Sequence, residues 1–311
     1  MKVLVTGGAG FIGSNISDAL IANGHKAVVI DNLSSGKKEN INKKAKFYNV
    51  DIIDETKIKA VFKKEKPNIV IHCAAQIDVR KSVSDPKYDA NINILGSINI
   101  LDACVENKVK KILFASSGGT IYGECKNKAP DENSFPNPLS PYGIAKHSVE
   151  NYIKFYGEIY GLKYTIFRYG NIYGPRQDPK GEAGVIAIFT SRMLNNESVT
   201  VFGNGKQMRD YVYVSDVVSA NVAALKKADN QIINIGTNKA VPLNDIVKIM
   251  SRLSETDKKA VYKPKRPGEL FKSFLNAKKA GKFLNWRPKV NIEEGIKKTL
   301  EYFKDDWKMG G

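Results

Sequence analysis

Residues 1–14 read Met1-Lys-Val-Leu-Val-Thr-Gly-Gly-Ala-Gly-Phe-Ile-Gly-Ser14, and the order of residue types in this stretch decides the fold. The apolar run Val3-Leu-Val-Thr6 has the length of a buried strand and ends in glycines spaced GxxGxxG, at Gly7, Gly10 and Gly13. The next segment, 12–23, carries apolar residues at helical spacing and stops at Gly24. A glycine triplet alone is often only a turn. Placed directly between strand and helix it makes an anion cradle. Gly7 and Gly10 let the backbone turn tightly and approach a phosphate, the helix N-terminus presents its amides, and Gly13 lets the helix lie close to the sheet. The expected ligand is the pyrophosphate of a dinucleotide.

Working outward, 27–30 reads as a second strand closed by Asp31, and 47–50 as a weaker third ending at Asp51. A helical segment at 58–64 and a fourth buried strand at 68–72, running into Ala74-Ala75, follow. A long helix is expected over 85–107, then a strand at 111–115, a loop punctuated by Pro130, Pro136, Pro138 and Pro141, a helix at 142–160 and a strand at 163–168. This alternation implies an α/β fold with a doubly wound parallel sheet, Rossmann-type, whose ligand sits at the strand carboxyl ends. Beyond 171 the rhythm breaks at Gly174-Pro175, Gly181, Gly203-Asn-Gly205 and 264–268, although 216–227 reads as a helix and 231–235 as a strand able to return to the sheet. The expected organisation is a dinucleotide-binding domain over 1–171, rejoined by 214–236, and a smaller C-terminal α/β substrate lobe from 172–213 and 237–311.

Composition narrows the function classes. With 42% apolar and 26% charged residues in 311, the chain can bury a substantial core, and it has no apolar run long enough to span a bilayer. The first strand begins at Lys2 and leaves no room for a signal peptide, so the cytoplasm is expected. The formal charge of +17 invites a nucleic-acid partner. The excess is mostly lysine, spread through Lys37-Lys38, Lys43-Lys44, 57–66 and Lys297-Lys298 without interleaved arginines and aromatics, which describes a solvated surface instead. Cys73, Cys104 and Cys125 are far apart and lack CxxC pairing, so neither a zinc site nor a disulfide framework is expected.

Two features specify the chemistry. Asp31, at the end of the second strand, is placed to accept from both adenosine ribose hydroxyls. It would repel a 2′-phosphate, and no arginine follows within Asp31-Asn-Leu-Ser-Ser-Gly36, so NAD is favoured over NADP, with Lys37 and Lys38 the residues that keep the alternative open. Asp51 is placed to meet the adenine amine. Then Tyr142 and Lys146, four apart, share one helix face. A free tyrosine has a pKa of about 10 and needs a neighbouring positive charge to act as a base at neutral pH. Behind a dinucleotide cradle, this pair points to redox chemistry at a hydroxyl-bearing carbon.

With those residues in hand, the chain resembles the extended short-chain dehydrogenase/reductase family and, more narrowly, its UDP-glucose (UDP-galactose) 4-epimerase branch. The resemblance covers nearly the whole length. It rests on Thr6-Gly-Gly-Ala-Gly-Phe-Ile-Gly13, His72-Cys-Ala-Ala-Gln76, Ser116-Ser-Gly-Gly-Thr-Ile-Tyr-Gly123, Ser140-Pro-Tyr-Gly-Ile-Ala-Lys146, Arg168-Tyr-Gly-Asn-Ile-Tyr-Gly-Pro-Arg176, Arg209-Asp-Tyr211 and Arg266-Pro-Gly-Glu269. The resemblance implies an NAD site that adds Phe11, Ile12, Asn32, Ser35, Gly36, Ile52, Ala74, Ala75, Gln76, Asn93, Ser116 and Tyr169 to the glycines, Asp31, Asp51, Tyr142 and Lys146. It implies a UDP-sugar site of Thr120, Tyr142, Asn171, Val185, Thr200, Phe202, Gln207, Arg209, Arg266, Glu269 and Ser273. Two arginines suit a diphosphate and a carboxylate suits a ribose.

One position departs from the family. A serine or threonine usually stands where this chain has Gly118, and its hydroxyl bridges the tyrosine and the sugar O4. Tyr142 is therefore expected to take the O4 proton directly, or through Thr120 or Ser117 with water. Dehydratases of the family need an acidic pair where this chain has Gly119 and Thr120, so elimination is disfavoured. The implied reaction is reversible oxidation at C4, interconverting UDP-glucose and UDP-galactose. Ser273 aligns with the position thought to gate sugar size, and its small side chain suggests that N-acetylated UDP-hexoses are accepted as well. The alternatives are a UDP-hexuronate 4-epimerase, with Arg80 as the one candidate donor for a C6 carboxylate, or a non-catalytic dinucleotide sensor, which would have no need of Tyr142 and Lys146. Helices 85–107 and 142–160 are apolar over more than one stripe, and a homodimer formed by them is expected.

Overall fold

The computed structural model describes residues 1–125, 128–180, 184–266 and 269–310, with side chains through 305. Gly181, Pro267 and Gly268, among the loop markers above, lie outside the described residues. The first strand, β1 (Lys2–Thr6), is followed by α1 (Phe11–Ala22), β2 (Lys26–Asp31), β3 (Lys46–Asn49), α2 (Glu55–Glu65) and β4 (Ile69–His72). Two short helices, α3 (Val79–Ser84) and α4 (Pro86–Ala90), lead through a π-helical turn (Asn91–Leu95) into α5 (Gly96–Glu106). Then come β5 (Lys111–Ser117), the single turn α6 (Gly118–Ile121), α7 (Pro141–Tyr160) and β6 (Lys163–Tyr169).

These six strands and a later one, β11 (Gln231–Ile235), form one seven-stranded parallel sheet in the order β11-β6-β5-β4-β1-β2-β3. The chain winds from β1 towards β3, then crosses to β4 and winds the other way. The reversal opens a crevice beyond the carboxyl ends of β1 and β4, where Thr6 and His72 stand in register. Near-continuous apolar strands suit a sheet buried on both faces. One face carries a core with Phe62, Ile100, Phe114 and Ile153, against α2, α5 and α7. The other buries Leu20, Phe167, Val217 and Trp286.

The remaining chain is β7 (Asn171–Tyr173), α8 (Val185–Leu194), β8 (Thr200–Phe202), β9 (Met208–Arg209), β10 (Tyr211–Tyr213), α9 (Val214–Ala224), β11 (Gln231–Ile235), β12 (Val241–Pro242), α10 (Leu243–Ser254), β13 (Val261–Lys263), β14 (Lys272–Ser273), α11 (Lys278–Leu284) and α12 (Ile292–Gly310). β11 joins the main sheet beside β6, while the others form small sheets: β10-β7, β12-β9-β14 and β13-β8. A third core, with Tyr173, Phe189, Ile246, Met250 and Ile296, holds this part together. Two- and three-residue strands carry no period that a sequence pattern can register, which is why this region read as irregular.

The expected single helix over 85–107 is interrupted. Asp85 accepts from the Tyr88 amide and caps α4, Pro86 occupies its first turn, and the π turn at 91–95 inserts a wide loop of backbone before α5. The apolar periodicity on either side continues across that turn, so the pattern alone reads as unbroken. Helices α8, α10, α11 and α12 have no counterpart among the elements expected from the sequence.

Candidate active site

The glycine loop is closed by contacts that allow no side chains. Gly7 has φ +67°, and a Cβ on Gly13 would lie 2.2 Å from the Gly7 carbonyl oxygen. A Cβ on Gly7 would lie 2.7 Å from the Ala74 nitrogen, so the loops after β1 and β4 meet across the crevice. The N-cap residue Gly10 offers no side chain to α1, which leaves the first-turn amides around Phe11 and Ile12 without a capping group. That is the chemistry a pyrophosphate requires. Asp31, only 7% exposed, accepts from the Ala9 amide (2.9 Å) and from the Leu33 amide (2.8 Å). It thus ties the glycine loop to β2, and each oxygen retains a lone pair for a ribose hydroxyl. A Cβ on Gly36 would come within 2.9 Å of Asp31 Oδ1, so the Ser35-Gly36 turn borders the same carboxylate.

Asp51 accepts from the Asn32 side-chain amide at 2.7 Å and from the Ile53 amide at 3.1 Å. Ile52 is buried against Gly96, where a Cβ would lie 2.7 Å from its side chain. Beyond Ala74 and Ala75, the Gln76 amide donates to Asn93 Oδ1, and Asn93 Nδ2 donates back to the Gln76 carbonyl, both at 2.9 Å. Asn93 lies in the π turn. Ser116 donates to Glu150 at 2.6 Å, and the Tyr169 hydroxyl accepts from Asn221 at 2.8 Å. The hydroxyls of these two expected cofactor residues therefore make internal bonds.

Tyr142 and Lys146 start α7. Ser140 is its N-cap, accepting from the Gly143 amide at 3.2 Å, and Pro141 pre-sets the first turn. Lys146 is 3% exposed; its Nζ donates to the Ala115 carbonyl at 2.8 Å, lies 4.7 Å from the Phe114 ring centre and 5.7 Å from that of Tyr142. Burial pulls its pKa down to about 8 against the opposing pull of Cys73, Asp89 and Glu150. Burial also pushes the Tyr142 phenol up, and Asp89 adds to the rise. His72, donating or accepting with Thr6 at 2.6 Å and Ser97 at 2.9 Å, is held at about 3 by burial and by Lys146, hence neutral. α6 abuts the start of α7: a Cβ on Gly143 would lie 2.7 Å from the Thr120 carbonyl oxygen. Thr120 Oγ1 is sequestered from solvent without a partner, and Ser117 makes no capping bond with its hydroxyl.

The smaller sheets bring the other expected residues together from four segments. In β9-β14, Arg209 and Ser273 are register partners. Arg209 donates to the Met208 carbonyl (2.9 Å) and stands 3.8 Å from Glu269, while the Arg266 guanidinium lies 3.6 Å from the Phe202 ring centre. Gln207 donates to the Phe202 carbonyl at 2.8 Å. A cavity of about 210 Å³ opens here, lined by Phe202, Asn204, Gln207, Lys265, Glu269 and Phe271. Asn171 starts β7, with its Oδ1 4.0 Å from where a Cβ on Gly119 would stand, and Thr200 starts β8, whereas Val185 begins α8 and packs against the lobe's core.

Four supporting residues play roles that the sequence does not announce, although Asp210 lies within Arg209-Asp-Tyr211. Glu150 pairs with Arg168 at 2.6 Å and receives Ser116. Asp89, 1% exposed, accepts from Gln76 and Asn93, both at 2.9 Å, and its Oδ2 is buried without a partner. Glu124 accepts from the amides of Phe271 and Lys272, each at 2.7 Å. Asp210, pushed up to about 6 by burial, accepts from Thr237 and from the Leu275 amide. Glu150, Glu124 and Asp210 are recognisable only through partners distant in the chain, whereas those of Asp89 lie 4 and 13 residues away.

A family model described as the NAD dependent epimerase/dehydratase family matches residues 3–236. Among solved structures, the UDP-glucose 4-epimerase of Thermotoga maritima with UDP-glucose is 51% identical, with a TM-score of 0.97 over 99% of this chain and 100% of that one. The UDP-glucose 4-epimerase of Thermus thermophilus in complex with NAD is 43% identical, with a TM-score of 0.94 over 98% and 99%. A UDP-N-acetylglucosamine 4-epimerase from Methanobrevibacter ruminantium, in complex with UDP-N-acetylmuramic acid, is 37% identical, with a TM-score of 0.92 over 98% of each chain.

Proposed function

We propose, from the premise that this chain belongs to the NAD dependent epimerase/dehydratase family, that it is an NAD-dependent UDP-glucose 4-epimerase, interconverting UDP-glucose and UDP-galactose. The observation that carries the reading is the pairing of half-buried Tyr142 with buried Lys146 in a fold that also has an uncapped, side-chainless phosphate cradle and a lobe with two arginines. When bound, NAD supplies the reversible hydride acceptor for C4 of the sugar. It is restored in each cycle, so the reaction consumes no external reductant.

In this reading Tyr142 removes the O4 proton as C4 is oxidised and returns it as C4 is reduced on its other face, acting as base and then acid. Gly118 supplies no bridging hydroxyl, so the proton passes directly or through Thr120, whose Oγ1 is sequestered with no protein partner, or through Ser117. Arg209 and Arg266 take the diphosphate and Glu269 the ribose. Ser273, register partner of Arg209, borders the sugar. Its small side chain supports turnover of N-acetylated UDP-hexoses, in keeping with the name of the Methanobrevibacter ruminantium neighbour.

The rest of the reading concerns organisation. The cofactor is held by 1–171 with 214–236 and the nucleotide sugar by 172–213 with 237–311. Two copies pair through α7 and the α4–α5 segment, which leave Leu95, Phe155 and Ile159 about half exposed. Three free thiols suit the reducing cytoplasm.

The test is incubation of the pure protein with UDP-galactose and no added reductant, followed by separation of the sugars. Wild type is expected to form UDP-glucose, and Tyr142→Phe to lose about 10²–10⁴-fold in rate. Wild-type rates in Thr120→Val, Ser117→Ala and the double variant would leave direct proton transfer. Absence of any epimer from wild type with bound NAD would end the reading.

A further inference from the structure

Gly118 and Gly119 adjoin in α6, and they lack side chains for different reasons. A Cβ on Gly118 would lie 2.7 Å from both terminal methyls of Leu275, which is itself 1% exposed. A Cβ on Gly119 would make ordinary contacts only, with Ser273 Oγ at 3.7 Å and Asn171 Oδ1 at 4.0 Å. Gly119 also lies outside the left-handed φ region, so its backbone accepts any residue. Neither crowding nor strain therefore requires glycine, and glycine inside a helical turn is less stable than alanine. A position that breaks a local rule without a packing reason is where a functional demand is expected.

The gap over Gly119 lies at the reacting end of the site. Thr120, the next residue, touches the α7 turn that carries Tyr142, while Ser273 opposite is register partner to Arg209. A group joined to both ends, with a reacting carbon at Tyr142 and a diphosphate at Arg209, must pass this gap. We propose that Gly119 is a specificity-determining position: its missing side chain, facing Ser273 and Asn171, provides room for an enlarged substituent on the sugar ring, such as an acetamido group. This rests on the epimerase reading above and adds to it a second wall of the sugar pocket, on the catalytic loop.

The experiment measures kcat and KM for UDP-glucose and UDP-N-acetylglucosamine with wild type, Gly119→Ala and Gly119→Val. In Gly119→Val the ratio of kcat/KM for the acetylated sugar to that for UDP-glucose is expected to fall about tenfold or more, mainly through KM, the scale on which one or two methyl groups discriminate in a pocket. Gly119→Ala is expected to show a smaller fall and a raised Tm, because the substitution favours the helical turn. An unchanged ratio in a folded Gly119→Val that still turns over UDP-glucose overturns the proposal, as do equal losses for both sugars. Wild type that epimerises UDP-glucose but rejects the acetylated sugar overturns it too, with the epimerase reading intact. Failure of wild type with both sugars overturns that reading and this proposal together.

Discussion

Tyr142 and Lys146 share a helix face, but the ammonium is not bonded to the phenol. Lys146 is fastened to the Ala115 carbonyl and faces the Phe114 ring, and burial disfavours the charged form of both residues. The charge proposed to activate Tyr142 is thus held in a site that resists it. The consequence for stability has a definite sign. Lys146 titrates near 10.5 when unfolded and near 8 when folded, so between those values the unfolded state binds more protons and stability from this group rises with pH. The difference amounts to roughly 3 kcal/mol, present as a cost below pH 8. Lys146→Met is expected to be more stable than wild type at neutral pH, and that advantage is expected to shrink from about pH 8 to about pH 10.5 in denaturant titrations. A pH-independent difference would contradict this account. The four-residue spacing was legible in the sequence because one helix contains both partners. Asp89, which acts on both electrostatically, was not, since it reaches them from another helix.

Short elements hold the site's two halves in register. Glu124 follows the turn α6 and accepts from the Phe271 and Lys272 amides, the Cys125 amide donates to the Lys272 carbonyl at 3.0 Å, and the Asp210 amide donates to the Ser273 carbonyl at 3.0 Å. The strand β14 that carries Ser273 is thereby strapped to the loop that carries Gly119 and Thr120. Glu124→Ala frees two amides and is expected to raise KM for the UDP-sugar about tenfold, the equivalent of one charge-assisted hydrogen bond, with kcat changed less. An unchanged KM would show that β14 is held without it. The π turn acts similarly on the cofactor side, setting Asn93 against the Gln76 backbone. Over 1–171 sequence periodicity located α1, α2, α7 and the buried strands, but it missed α8, α10 and α12 further on; a π turn leaves the apolar period intact, and two-residue strands have none.

At the scale of the whole molecule, α7 presents two faces. Lys146, Val149, Glu150 and Ile153 are buried, while Tyr152, Phe155, Ile159 and Tyr160 remain 40–60% exposed, and a groove of about 410 Å³ runs along Ser148, Asn151, Tyr152 and Phe155. A second copy covering this face is expected to give a particle of twice 34.4 kDa in sedimentation, and Phe155→Glu with Ile159→Glu is expected to reduce it to the single-chain mass. Wild type sedimenting as one chain would remove the dimer from the reading. The sequence by itself determined the doubly wound sheet, the phosphate cradle and the Tyr142/Lys146 pair, because each depends on neighbours within a strand, a turn or one helix. Only the tertiary structure decided how Arg209, Ser273, Asn171 and Gly119 converge and what Asp89, Glu124 and Asp210 hold. Apart from the short reach of Asp89 to Gln76 and Asn93, those contacts join segments tens to well over a hundred residues apart, and local pattern carries no information about which distant segment a side chain will meet.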